Sequence, residues 1–276
     1  MPDGTKVIGA DAFSGAFDLT EVTLPDSLES VEDAAFEGCY NLTAVHGGDQ
    51  ISSLGKSAFE SCSNLKEVPV FNNLKEIPQK AFYATGLEKV VIGDQVTKIG
   101  DDAFGSLDHL TQITMGKKVE TIGSCAFLNI ANTTTDEKPP DVADLKLPAS
   151  VKEIGRSAFS GLKISNFEVD KKNSFFSTKD GMLLSADGSI FYCCPANRKG
   201  TVKVPEGVKT IVVFAFYQTP EVTDVYIPDS VLNIENGAFE SEYVDDEKVY
   251  RVTLHCKAGS DAAEFAKRSG IPWKEK

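Results

Sequence analysis

An Ala-Phe pair recurs along the chain, ending at Phe13, Phe36, Phe59, Phe82, Phe104, Phe127, Phe159, Phe216 and Phe239. Successive gaps are 23, 23, 23, 22, 23, 32, 57 and 23 residues, so six of the eight are 22 or 23 and the two long ones read as insertions. Self-similarity at a period between about 20 and 50 residues marks a solenoid or propeller. The unit is legible in "LTEVTLPDSLESV" (19–31), "LTQITMGKKVETI" (110–122) and "VTDVYIPDSVLNI" (222–234). Counting the first apolar residue as unit position one, apolar residues fall at one, four, six, ten and thirteen, and the Ala-Phe pair at seventeen and eighteen. Positions four and six flank an outward residue at five, which is strand alternation, and the β-branched bias agrees. Pro25, Gly48, Gly93, Gly116, Pro148 and Pro228 follow at position seven and end the strand.

One such coil has too few apolar groups to bury itself. Stacked about 4.8 Å apart, coils let each position touch its own kind above and below. The core expected is therefore a dry spine of like residues with Phe36, Phe59, Phe82 and Phe104 in single file, and no central pocket.

The LxxVxL segment resembles the LxxLxL of leucine-rich repeats, and "IGxxAF" with "GCYNL" (38–42) or "SCSNL" (61–65) is similar to the BspA-like variety. The resemblance covers nearly the whole chain. It implies a leucine-rich-repeat solenoid of the α/β horseshoe class, mostly β, with a parallel sheet on the concave side and short irregular strands on the convex side. It also implies a secreted or surface-attached bacterial protein. One departure is plain: the asparagine that bonds adjacent turns in standard repeats is replaced at position nine by Ser27, Gln50, Asn73, Gln95, Lys118, Ser150 and Ser230, with asparagine kept only at 73. A continuous asparagine ladder is thus absent.

The organisation expected is a repeat array over 1–258, about nine coils of 22–23 residues, and a C-terminal capping helix over 259–276. Ser260 or Asp261 caps that helix, Gly270 and Pro272 end it, and Ala262, Ala263, Phe265 and Ala266 share its apolar face, with Trp273 packing nearby. "NTTTDEKPPD" (132–141) reads as a surface loop, and a protruding hairpin is expected near 173–201, where "ADGS" joins two apolar stretches. "MPDGTKVIGADAF" (1–13) aligns without a gap on "VPEGVKTIVVFAF" (204–216), so the chain reads as starting in mid-repeat, a piece of a longer protein whose export signal lies elsewhere.

A formal net charge of -13 over 276 residues argues against nucleic acid or anionic membrane as partner. No apolar run approaches the roughly 18 residues of a membrane span. His46, His109 and His255 occupy different coils and unit positions, and Asp101 with Asp102 and Asp245 with Asp246 sit in turns. Without HExxH, GxSxG or a phosphate-cradling loop, the chain has no catalytic or metal constellation and no expected cofactor, and reads as a non-enzyme. Cys39 and Cys62 share a unit position one coil apart, within disulfide reach, but read as two small apolar spine residues. Cys125, Cys193, Cys194 and Cys256 form no framework. Of two sequons, Asn41 reads as structural and Asn132 as accessible.

What remains for function is the outward side of the concave sheet. The candidate partner-binding residues are Glu21, Thr23, His46, Glu67, Lys89, Gln112, Thr114, Asp144, Lys146, Asn166, Glu168, Asp224, Tyr226 and Arg251. Both charge signs mix there with small polar groups and few aromatics, which suits a protein partner and offers neither an anion track nor a sugar-stacking platform. The expectation is a noncatalytic protein-binding or adhesion module of a bacterial surface or secreted protein, meeting a host or neighbouring-cell surface protein. The alternative is a spacer holding other domains away from the cell wall. The chain is expected to be monomeric, with association through its open N-terminal coil as the competing route.

Overall fold

In a computed structural model, which describes residues 1–129, 140–240, 242–244 and 247–276, the chain is a β-solenoid with one helix among the described residues, Asp261–Ser269. The expectations for Asn132, for most of the 132–141 loop and for Asp245 with Asp246 fall outside the described residues.

Three features bond successive coils over most of the array. Unit positions three to six form the longer strands, with parallel pairs such as Glu21–Leu24 on Ala44–Gly47 and Lys89–Val91 on Gln112–Thr114. Positions twelve and thirteen form two-residue strands, in which Val7–Ile8, Ser30–Val31 and Ser53–Leu54 pair in parallel, as do Glu76–Ile77, Lys98–Ile99, Thr121–Ile122 and Glu153–Ile154. The Ala-Phe turn supplies the third, because in the regular coils the phenylalanine N–H donates to the next coil's alanine carbonyl, as Phe36 does to Ala58 at 2.9 Å and Phe104 to Ala126 at 2.8 Å.

These bonds hold identical positions one above another, so the phenylalanines have no choice but to stack. From Phe13 through Phe36, Phe59, Phe82, Phe104 and Phe127 to Phe159, successive ring centroids are 5.1 to 5.8 Å apart and within 13° of parallel. Offset stacking of this kind contributes about 0.5–1.5 kcal/mol per pair beyond burial.

The glycine of "IGxxAF" has its own cause. A Cβ at Gly55, Gly100, Gly123 or Gly155 would lie 2.2 to 2.6 Å from the backbone nitrogen of Asp33, Gln79, Asp101 or Ser124 in the preceding coil. The backbones pass too close for any side chain there. Side chains take over the missing asparagine ladder: Asn41, Asn64 and Asn73 donate to Phe17, Tyr40 and Asp49 carbonyls at 2.7 to 2.9 Å. Thr43, Thr97 and Thr111 bond Thr20, Lys75 and Glu88 carbonyls in the same way. Asn41 is thus structural.

The hairpin expected near 173–201 is present, with Met182–Ser185 and Ile190–Cys193 antiparallel across the ADGS turn, but it is built into the stack and does not protrude. Phe176–Lys179, Met182–Ser185 and Ile190–Cys193 form an antiparallel meander, and its last strand joins the short-strand ladder beside Thr210–Ile211. Met182, Leu183 and Leu184 are all buried, since this strand is covered on both sides. Leu183 and Cys193 close one hydrophobic cluster while Met182, Leu184, Phe191 and Cys194 open a second. The phenylalanine file breaks accordingly: Phe159 meets Phe167 edge-on, and a new file begins with Phe191 stacked on Phe216 at 5.2 Å and Phe216 on Phe239 at 4.8 Å.

At the C-terminus Ser260 accepts from the Ala263 N–H, Gly270 adopts φ 74°, and Ala262, Ala263, Phe265 and Ala266 are buried. The chain then forms one more strand, Trp273–Glu275, parallel to Thr253–Cys256. A helix-only reading of 259–276 omits that strand.

Phe59→Ala is expected to cost about 3–5 kcal/mol, and Gly155→Ala to destabilise comparably with its exposed neighbour Arg156→Ala near neutral; urea denaturation compares all three. The turn acid Asp187 accepts from the Ser185 hydroxyl at 2.6 Å and from the Ser189 N–H and hydroxyl at 3.0 and 2.8 Å, which draws its pKa down to about 2. A depressed carboxylate stabilises the fold above its unfolded value of about 3.9 and loses that contribution as the folded group titrates. The melting-temperature gap between the parent and Asp187→Asn, present near neutrality, is therefore expected to close as pH falls from about 4 to about 2.

Candidate binding surface

Outward residues of the longer strands divide into two groups. Towards the C-terminus they satisfy one another. Lys146 pairs with Glu168 at 3.1 Å, Asp144 accepts from the Asn166 backbone and amide at 2.9 and 3.0 Å, and Asn166 accepts from Arg198 at 3.3 Å. Arg198 also donates to the Asp180 carbonyl. Asp224 accepts from His255, which holds its carboxyl below the usual carboxylate range, with the Thr223 hydroxyl helping. Nearer the N-terminus, Glu21, Thr23, His46, Glu67, Lys89, Gln112 and Thr114 have no side-chain partner among the described residues.

Arg251 does not stand in this surface column. The ladder sets Asp224 against Thr253 and Tyr226 against His255, two residues further on. A slip of two preserves the inside-outside alternation, so strand periodicity alone cannot detect it. Thr201 and Lys203, opposite Asp224 and Tyr226, also belong to the surface and were hidden in the 57-residue gap. The strand "GTVKV" ahead of "PEGVKTI" was the signal that could have found them.

Two of the unpaired residues, Glu67 and Lys89, line a pocket. In the coil that carries "EVPVFNNLKEIP", the longer-strand ladder reaches only Glu67, opposite Ala44, and resumes separately at Lys89–Val91. Pro69 has no N–H to continue it. The short-strand ladder is also cut, between Ser53–Leu54 and Glu76–Ile77. There Pro78 replaces the glycine whose N–H elsewhere bonds the preceding coil, as Gly100 bonds Ile77 at 2.7 Å and Gly123 bonds Ile99 at 2.8 Å. Two prolines thus loosen one coil on both faces.

The result is a slot of about 590 Å³ between Val68–Pro69 on one side and Val90–Val91 on the other, floored by Phe82 and Phe104. Glu67 and Lys89 stand at its rim, as does the Lys66–Glu88 pair at 3.6 Å. The expectation of a spine with no pocket is corrected here: the stack is continuous, but a break in its hydrogen bonding opens it from the surface. The Glu88 N–H still reaches the Lys66 carbonyl at 3.3 Å, so the slot is closed at that end. It can admit a side chain and not a whole strand.

Among the described residues, no group of three His, Cys, Asp or Glu residues could hold a metal ion. All six cysteines are free; Cys39 and Cys62 are buried and donate to the Phe13 and Phe36 carbonyls, each at 3.1 Å. Burial pushes the Cys193 thiol up to about 12.

The repeat is recognised by the profile of the BspA type leucine rich repeat region, which matches in six copies over residues 1–107, 75–142 and 107–246. The chain belongs to the BspA-type leucine-rich repeat family. Among solved structures it is similar to a leucine-rich cell surface protein of Faecalibacterium prausnitzii, with 28% identity, a TM-score of 0.73, and 85% of this chain covering 62% of that one. A leucine-rich repeat protein of Eubacterium ventriosum matches at 22% identity and a TM-score of 0.60, over 93% of this chain and 59% of that one. The chain therefore spans about three fifths of the length of either relative. No curated protein matches. BspA-type coils with this sheet and closing helix thus account for the fold, and the slot is a local departure of this chain from its own repeat.

If the slot is unfilled space, Val68→Ile is expected to add about 0.8 kcal/mol of stability. The same added methylene at fully buried Val225 should cost about 1–3 kcal/mol. Urea midpoints of the two variants check this.

Proposed function

We propose that the chain is a noncatalytic protein-binding module of a bacterial cell-surface or secreted protein, and that the long-strand face from Glu21 to Thr114 is what it presents to a host or neighbouring-cell surface protein. The observation that carries this reading is the unequal pairing of that face. Polar side chains that satisfy one another offer a partner little. Glu67 and Lys89 are left unpaired at the rim of a slot lined by apolar side chains such as Val68 and the exposed Val91. An apolar anchor ringed by polar groups is the usual anatomy of a protein interface. Membership of a family whose solved relatives include a cell surface protein supports the location.

A spacer role is the competing reading, favoured by the internally paired surface at Asp144, Lys146, Asn166 and Glu168. The test coats beads with the parent chain and with a Glu67→Lys, Lys89→Glu, Val91→Arg variant and counts attachment to epithelial and bacterial cells. Attachment by the parent, reduced at least about tenfold in the variant as expected for losing a hot-spot centre, supports binding through this face. Equal attachment by both, or by neither, supports the spacer.

A further inference from the structure

The last strand, Trp273–Glu275, sets Lys274 beside His255, while the neighbouring ladders set Tyr226 beside His255 and Lys203 beside Tyr226. Lys203, Tyr226, His255 and Lys274 therefore stand in one outward row, a strand spacing of about 4.8 Å apart. The Tyr226 and His255 rings are parallel, with centroids 4.3 Å apart. Because they stack along the row, the rings present edges and not faces to solvent, with the His255 side chain 12% exposed. His255 Nε2 lies 2.7 Å from Asp224 Oδ1, which fixes the ring and leaves its other nitrogen uncommitted. Asp224 is the only acidic residue in the adjoining outward row, which otherwise holds Thr201 and Thr253.

The lysines differ from their neighbours. Lys199 is paired with Glu221 at 2.8 Å, and Lys276 with Asp229 at 2.9 Å. Lys203 and Lys274 are exposed and make no side-chain hydrogen bond or ion pair among the described residues, although Lys274 lies near enough to Asp224 to help lower its carboxyl. In a chain with a formal net charge of -13, this is a confined row of unsatisfied donors.

We propose that this row binds a linear polysaccharide bearing carboxylate groups. Charge complementarity places carboxylates on Lys203 and Lys274, with the Tyr226 hydroxyl and the free His255 nitrogen on the sugar oxygens between them. Spacing favours a saccharide over an acidic peptide. A hexose unit is about as long as one step of the row, so successive sugars meet successive polar groups. An extended peptide repeats on one face every two residues, about 6.7 Å, and loses register at the second step. Edge-on rings offer no broad face for a neutral sugar, so the interaction depends on charge and weakens as salt rises. The row is distinct from the slot between Pro69 and Val91, and its occupancy does not rest on the protein-binding reading of that surface.

Affinity electrophoresis of the whole chain through gels containing polygalacturonate at low ionic strength tests this. Retardation is expected with polygalacturonate and not with neutral dextran. Lys203→Ala combined with Lys274→Ala should weaken it about tenfold, the loss of two exposed charge contacts. Tyr226→Phe, which keeps the ring stack, should weaken it less, and Lys89→Ala should leave it unchanged. No retardation by polygalacturonate, equal retardation by poly-L-glutamate, or an unaffected double lysine variant would each overturn the proposal.

Discussion

The backbone hydrogen bond from one coil to the next is the interaction on which everything else in this molecule depends. It is made at the longer strands, at the two-residue strands and at the Ala-Phe turn, and together these hold consecutive coils in register. Once register is held, every side chain meets its own kind. Phenylalanine must then stack on phenylalanine, glycine must remain glycine where backbones touch, and a threonine or asparagine in a turn finds the carbonyl one coil back. Stability in such an array is close to a sum of coil and neighbour terms, so a weak junction can be tolerated locally.

That tolerance is where this chain departs from uniformity. Pro69 and Pro78 occur in the same coil and each removes a donor from a different ladder, yet Phe59, Phe82 and Phe104 continue the file past them at 5.5 and 5.3 Å. Side-chain packing carries the stack across a place where hydrogen bonding lapses. The slot that opens there borrows core phenylalanines as its floor, which is how a repeat protein can make an apolar site without building a separate domain. The meander is the second departure. It parts the spine into two clusters and serves both, with alternate residues of one strand facing opposite ways.

Much of this was legible in the residues. The spacing of the Ala-Phe pairs anticipated the file of rings, the alternation at positions four to six anticipated the longer strands, and Ser260, Gly270 and the alanine face anticipated the helix. The surface was legible only in part. Spacing puts Arg251 in the column of Asp224, where Thr253 stands, because a two-residue slip leaves strand alternation intact. Lys203 lay in a coil masked by the meander, and Lys274 in a strand masked by the helix before it.

By itself, then, the sequence determined the period, the identity of each ladder and the absence of a long apolar span, because these follow from patterns local to about one coil. Only the tertiary structure decided which unlike residues meet: Pro69 and Pro78 cutting two ladders at one coil, or Tyr226, His255 and Lys274 drawn into one row from three separate strands. The physical reason is that a repeat specifies contacts between like positions, whereas the features that distinguish this chain arise where an insertion, a proline or a terminal strand shifts which residues are neighbours.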